Sequence, residues 1–346
     1  MATLEDVARE AQVSIATASR VLNGGRKVRV ENVRRVLAAA EALRYKSNLA
    51  ADAIARGRGG GVALLAKGIA DAHFSALAAG VMRAAEESDL ILTMASTSGH
   101  SESTLRMLTN LRGLQPRAII VAGSRNADDR FTDQLVAGLQ QYEADGGRVV
   151  IMSQSGLPFD TVSVDNVAAG RDLAQALHEL GYRRFVVLAG PSNVLTGTDR
   201  VQGVKTALRE LGVSLPRQNI LYCPMTRDGG YAAAGEFLAR DTGAQAVIAV
   251  SDSMALGALT RFREAGIVIP GQLALTGFDD IMALRDTTPA LTTVSLPWDQ
   301  IGRRALDLAL GPKAANRVDE VFRGHVVLRQ TTPAVALPAG PEADQH

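Results

Sequence analysis

Hydrophobic spacing gives the chain two textures. Over residues 3–45 the apolar positions recur at helical intervals. Leu4, Val7, Ala8 and Ala11 share one face of a first helix, which Thr3 opens as N-cap with Asp6 as its acidic N3 partner. Ser14 caps a second helix, Ile15 to Leu22, ended by Asn23-Gly24-Gly25. A third helix runs from about Glu31 to Arg44, with Val33, Val36, Leu37, Ala40 and Leu43 on one side. Three short helices with a tight break between the first two predict a helix-turn-helix head. After the head, Asn48–Arg56 offers only a thin apolar face. Four glycines within 57–61 then make a flexible joint.

From Val62 the texture changes. Buried-type apolar runs of strand length fall at 62–66, 90–95, 118–122, 149–152, 161–164, 185–189, 220–222, 246–250 and 273–276, most of them separated by helical stretches. Such alternation predicts parallel sheets covered on both faces. The strands are too many for one compact unit, so two doubly wound subdomains with a cleft between them are expected.

Charge sharpens this division. Residues 1–58 hold 11 basic and 6 acidic residues, a net +5, and the remainder carries −4 within a total of +1. A basic head on a mildly acidic body points to a polyanion partner for the head. The single cysteine, Cys223, excludes a disulfide framework and a cysteine-rich zinc module, and fits a reducing compartment. No apolar run is long enough to span a membrane, and the start MATLEDVARE lacks the form of an export signal. A cytoplasmic protein is expected. No G-x-G-x-x-G or P-loop run, no Ser/His/Asp arrangement and no metal-ligand spacing is visible, so neither enzyme nor cofactor is expected.

The run Val13-Ser14-x-x-Thr17-x-Ser19-Arg20-Val21-Leu22-Asn23 resembles the recognition helix of lactose-repressor (LacI) family transcription regulators. The core carries an ordered series with the same resemblance: Val164-Asp165-Asn166, Arg200-x-x-Gly203, Ser251-Asp252-x-x-Ala255-x-Gly257, Gly277-Phe278-Asp279-Asp280 and Leu291-Thr292-Thr293-Val294. The resemblance covers about residues 2–332. It implies an N-terminal all-α helix-turn-helix head joined to an α/β periplasmic-binding-protein-like core. The implied divisions are 1–46 for the head, 47–60 for a hinge helix and linker, and 61–333 for an effector-binding and dimerisation core. Within the core, one subdomain takes about 61–160 and 292–322 and the other about 161–291 and 323–333. Residues 334–346 form a flexible tail.

What the resemblance implies can be placed by residue. Ile15 and Ala16, at the start of the recognition helix, can make only apolar contacts with base edges, and Arg20 suits a bidentate contact to guanine. Thr3, Ser14, Thr17 and Ser19 would hold phosphates. Asn23, Arg29 and Asn48 extend the DNA-binding set. Ile54 would wedge into the minor groove or pack on its symmetry mate. Ser47, Asp52, Arg29 and Val33 depart from the family pattern, and the Asp52 carboxylate would repel phosphate.

Between the subdomains, Arg200 and Asp279 suit a polyhydroxyl ligand. Ser153, Thr196 and Ser251 are further candidate contacts. Phe74 and Trp298 could stack on a ring, although Trp298 suits subdomain packing equally well. Asp165, Asp252 and Asp280 read as caps or turn residues. The expected function is a dimeric, operator-binding regulator, a repressor by preference, controlled by a sugar or sugar derivative. Two alternatives stay open: a nucleoside or nucleobase effector on the same architecture, and a solute-binding sensor without DNA function.

Overall fold

The structure, a computed structural model, describes residues 2–22, 28–45, 61–68, 72–97, 101–127, 132–240 and 242–335. Asn23 and all of the predicted hinge, with Asn48, Asp52 and Ile54, lie outside the described residues.

The head folds as three helices, α1 (Leu4–Glu10), α2 (Ile15–Leu22) and α3 (Val30–Ala42). Thr3 and Asp6 form the reciprocal capping box that their spacing predicts. The Asp6 N–H donates to Thr3 Oγ1 at 3.2 Å and the Thr3 N–H donates to Asp6 Oδ2 at 2.9 Å. Gln12 makes the break between α1 and α2 with a left-handed φ of 52°. Arg35 of α3 donates to both the Gln12 carbonyl and its side-chain oxygen, fixing that turn. Val7, Ala8, Ala11, Ala18, Val36 and Ala39 form the small core. Leu37 departs from the expected pattern: it is 52% exposed, and Ala39 faces inward beside Val36 in its place.

The core holds two parallel sheets. In the first, β1 (Val62–Lys67), β2 (Leu92–Thr97), β3 (Ala118–Ala122), β4 (Arg148–Met152), β5 (Asp160–Val164) and β11 (Asp319–Phe322) lie in the order β11-β5-β4-β3-β1-β2. In the second, β6 (Phe185–Ala189), β7 (Ile220–Tyr222), β8 (Ala246–Ala249) and β9 (Ala274–Thr276) lie in the order β7-β6-β8-β9. Every pairing within these two sheets is parallel. The inner strands β1, β3 and β4 of the first sheet and β6 and β8 of the second read as nearly continuous apolar runs because helices cover both faces, whereas the edge strands β2 and β11 are partly exposed. Around the first sheet lie α4 (Ala72–Glu87), α5 (Ser101–Gly113), α6 (Thr132–Ala144) and α11 (Trp298–Leu310). Around the second lie α7 (Asn166–Glu179), α8 (Leu195–Glu210), α9 (Arg227–Leu238) and α10 (Asp252–Glu264). A two-stranded antiparallel pair, β10 (Thr293–Ser295) with β12 (His325–Val327), stands beside the second sheet.

The topology corrects the division expected within the core. Residues 161–164 belong with the first half, since β5 pairs with β4 and Val162 packs into the first sheet's core. The stretch around β10 belongs with the second half, where Leu291, Val294 and Leu296 are buried against its core. Strands β10, β11 and β12 escaped the sequence reading because each has only three or four residues and lacks a continuous apolar run. The start of the expected tail is also held in place: the Val335 N–H donates to the Leu180 carbonyl at 2.7 Å. Cys223 packs partly buried against the second core, and burial pushes its thiol up to about 11, so it stays protonated at neutral pH.

Candidate functional site

The head presents one candidate surface. Ala18 turns inward, and Ile15, Ala16 and Arg20 of α2 are all exposed. Ile15 is 49% exposed, a costly position for a large apolar side chain unless something covers it. Ser14 accepts the Thr17 N–H at 3.2 Å, capping the helix start beside Ile15, and its hydroxyl bonds that of Thr17 at 2.9 Å. Thr3 and Arg29 are exposed, whereas Thr17 and Ser19 are half-buried. An apolar pair followed by an arginine on one open helix face suits base edges in a major groove, with neighbouring hydroxyls available to phosphates. Ile15→Ser should leave stability within about 0.5 kcal/mol, as exposed sites do, while weakening DNA binding. A urea titration and a DNA titration of the same variant separate the two effects.

The core presents a cavity of about 50 Å³ at the carboxyl ends of the first sheet's strands. Five of the seven residues expected there line it: Phe74, Ser153, Thr196, Arg200 and Trp298. They arrive from four places in the fold. Phe74 opens α4, Ser153 follows β4, Thr196 and Arg200 lie on the first turns of α8, and Trp298 opens α11. Gly123, Ser124, Gln154, Ser163 and Asn166 also line it and were missed. The available signal was position: Ser124 and Gln154 each follow a strand by two residues, like polar residues of any loop.

Ser251 and Asp279 do not line the cavity. The Ser251 hydroxyl accepts the Met254 N–H at 3.3 Å and caps α10, with the residue 2% exposed. Asp279 is turned to Arg200 instead of the cavity. Its Oδ1 accepts from the guanidinium at 2.7 Å, and both side chains are almost fully buried. Arg200 is held on every side. Nε donates to Asn166 Oδ1 at 2.9 Å, another nitrogen donates to the Val250 carbonyl at 2.7 Å, and the guanidinium lies 3.8 Å from the Phe278 ring centroid. Three of its five N–H groups are thereby used, and the residue also lines the cavity. Trp298 joins the same node, its indole N–H donating to the Asp279 carbonyl at 3.3 Å.

The two halves are fastened to each other across the cavity. The Thr196 N–H donates to Ser124 Oγ at 3.0 Å, the Leu195 N–H to the Arg125 carbonyl at 3.0 Å, and the Ala127 N–H to the Asn193 carbonyl at 2.8 Å. Gln154 Nε2 donates to Thr196 Oγ1 at 2.7 Å.

Behind Arg200 lies a cluster of carboxylates. Asp280 accepts from Arg329 at 2.5 Å, whereas Asp252 receives only neutral donors, the Ile281 N–H at 2.9 Å and the Thr293 hydroxyl at 2.7 Å. Burial and the charge of Asp279 push the Asp252 carboxyl up to about 7 from an ordinary 3.8, against those two hydrogen bonds. Between those values the folded chain keeps a proton that the unfolded chain has released. Stability therefore falls as pH rises across the window, by up to about 1.4 kcal/mol per pH unit. Asp252→Asn should flatten that slope. Urea midpoints measured from pH 4 to 7 check it, and an unchanged slope would contradict the assignment.

Residues 3–48 match the family described as bacterial regulatory proteins, lacI family, and residues 174–332 match the periplasmic binding protein-like domain. HTH-type transcriptional regulator GalS of Salmonella typhimurium is 31% identical over 310 residues, covering 90% of this chain and 89% of that protein. HTH-type transcriptional regulator CelR of Thermobifida fusca is 31% identical over 340 residues, 95% of this chain and 98% of that one. HTH-type transcriptional repressor PurR of Klebsiella pneumoniae is 28% identical over 311 residues, 90% of each. Among solved structures, a transcriptional regulator CelR–cellobiose complex aligns at 28% identity and a TM-score of 0.68, covering 96% of this chain and all of that one. The fold is also that of the lac repressor dimer bound to operator and the anti-inducer ONPF, at a TM-score of 0.81 and 22% identity, covering 96% of this chain and 99% of that one.

Proposed function

The chain belongs to the lacI family of bacterial regulatory proteins, DNA-binding regulators controlled by an effector, and from that premise we propose that its effector is a neutral carbohydrate. The sugar occupies the cavity around Arg200 and sets how tightly the two heads of a homodimer hold a pseudo-palindromic operator, the protein acting as a repressor.

The observation that carries this reading is the polarity of the cavity lining. Among the described lining residues Arg200 is the one formal charge, and Asp279 balances it. The rest are hydroxyls (Ser124, Ser153, Ser163, Thr196), amides (Gln154, Asn166) and apolar or aromatic side chains, Phe74 and Trp298 among them. Hydroxyls and amides suit a polyol, and aromatic faces suit a sugar ring. An anionic ligand would find its one cation already neutralised. The CelR–cellobiose complex supports a carbohydrate in a relative of this fold, and a nucleoside or nucleobase is the competing ligand.

Control follows from size. The cavity is about 50 Å³, well below the roughly 300–1,000 Å³ of ligand pockets. A sugar must therefore part the bonds between residues 124–127 and 193–196 or find them already parted. It binds the more open arrangement better, and by linkage shifts the core toward it. In the head, Ile15, Ala16 and Arg20 read bases, while Thr3, Ser14, Thr17, Ser19 and Arg29 engage phosphates.

The test is a thermal-shift panel of neutral sugars, sugar phosphates, nucleosides and nucleobases on the full chain. A neutral sugar at 100 times its Kd should stabilise by about 2.7 kcal/mol. Stabilisation by a purine or a sugar phosphate, with none by neutral sugars, would replace this reading.

A further inference from the structure

We infer that Gln154 sets the hydrogen-bond polarity with which the cavity meets its effector, turning Ser153 into an acceptor and Thr196 into a donor. This rests on the cavity being the effector site and adds which way its protons point.

One obligate donor decides how the Gln154 amide is oriented. The Arg125 backbone N–H can only donate, and it lies 3.1 Å from one terminal atom of the Gln154 amide. That atom is therefore the oxygen, Oε1, and the other is the nitrogen, Nε2. An amide orientation is otherwise ambiguous, and here the backbone decides it. Two consequences follow for residues that line the cavity. The Ser153 hydroxyl lies 2.8 Å from Oε1, which has no proton to give, so the serine proton goes to Gln154. Ser153 is left with lone pairs alone to offer a ligand. Thr196 Oγ1 lies 2.7 Å from Nε2, which can only donate, so the threonine oxygen accepts there. Its own proton remains for the cavity.

In the arrangement without effector, Ser124 takes no part in this exchange. Its oxygen accepts the Thr196 N–H at 3.0 Å and its proton goes to the Arg125 carbonyl at 3.3 Å. The code across this wall is therefore fixed by one side chain. The effector must present a donor to Ser153 and an acceptor to Thr196. A sugar hydroxyl can serve in either sense. A fluorine or an ether oxygen cannot donate and is rejected at Ser153.

Gln154 also joins the halves. It follows β4 in the first, and its partner Thr196 opens α8 in the second. It is a positioning residue, acting through Ser153 and Thr196.

Two measurements test it. Neutron diffraction from the perdeuterated full-length protein, without added ligand, should place the Ser153 deuterium toward Gln154 Oε1 and the Thr196 deuterium away from Nε2. A Ser153 deuterium pointing into the cavity overturns the proposal. The second measurement is calorimetric titration with glucose, galactose and cellobiose, each against its monodeoxyfluoro analogues, in the native protein and in Gln154→Leu.

For whichever sugar binds, fluorine at one ring position should weaken affinity by about tenfold in the native protein, the scale of one buried group left unpaired. In Gln154→Leu the Ser153 hydroxyl is free to turn, and that ratio should fall to about threefold or less. Equal loss for sugar and analogue, with the ratio kept, would mean a merely structural role and overturn the proposal. If no sugar of the panel binds, the carbohydrate reading fails, and the deuterium positions alone decide the polarity.

Discussion

Arg200→Met should destabilise the core by about 3–5 kcal/mol, because it strands a buried carboxylate. Asp279 is 2% exposed, and Arg200 is the cation it pairs with. The variant also removes the donors to Asn166 Oδ1 and the Val250 carbonyl and the contact with the Phe278 ring, so its loss has more than one source. Methionine matches the length of the stem but supplies no N–H. Pairing it with Asp279→Asn removes the stranded charge and should recover part of the loss. Arg200→Lys should recover little, since a point charge cannot serve three partners in a fork. Urea unfolding of the three variants checks this. A cost below about 1 kcal/mol for Arg200→Met would mean that the pair is solvated, unlike a buried one.

The second large effect comes from a glycine. Gly203 on α8 faces the backbone of α7 so closely that an added β-carbon would lie 2.0 Å from the Val167 carbonyl oxygen and 2.8 Å from the Arg171 nitrogen. Gly170 on α7 answers it, with an added β-carbon 2.3 Å from the Arg200 carbonyl oxygen. The pair brings the helices together at the turn that carries Arg200, and sets the guanidinium within reach of Asn166 at the start of α7. Helix propensity alone would favour Gly203→Ala by about 1 kcal/mol. Backbone atoms cannot rotate away as a side chain can, so sterics should win and the variant should lose about 3 kcal/mol or more. Gly113→Ala, at the end of α5 with nothing within 4 Å, is the control and should be neutral or slightly stabilising. Equal unfolding midpoints for Gly203→Ala and the native chain would refute the close-approach argument.

What was legible in the sequence was what is local or continuous. Thr3 and Asp6 are three residues apart, so their capping box can be read from spacing, and it forms. The inner strands of both sheets stand out because burial on two faces demands apolar runs. The short strands β10 to β12 depend on partners far along the chain, as Thr293 does on Val327, and local pattern is silent there. The same holds at the site. Arg200 was visible through its motif, but nothing in the chain says that its charge is answered by Asp279, 79 positions away, so that Asp279 turns from the cavity. Ser251 sits after a strand, as ligand contacts do, yet its hydroxyl is engaged by its own helix. Gln154 looked like any polar loop residue. Its importance comes from Thr196, 42 positions on, and from a backbone N–H that no sequence pattern marks.

The account stands on the head reading DNA under control of the core. The most direct test selects from random duplexes with the full-length protein, then titrates the selected duplex against salt and against a sugar that stabilises the core. The prediction is a pseudo-palindrome bound at least about 10³-fold more tightly than random duplex. Affinity should fall steeply with salt, by a log–log slope of about −0.9 per phosphate contacted, and should shift when the sugar is added. Arg20→Met should lose discrimination at one base position in each half-site. No enrichment over random duplex, or an affinity indifferent to both salt and sugar, would contradict the account.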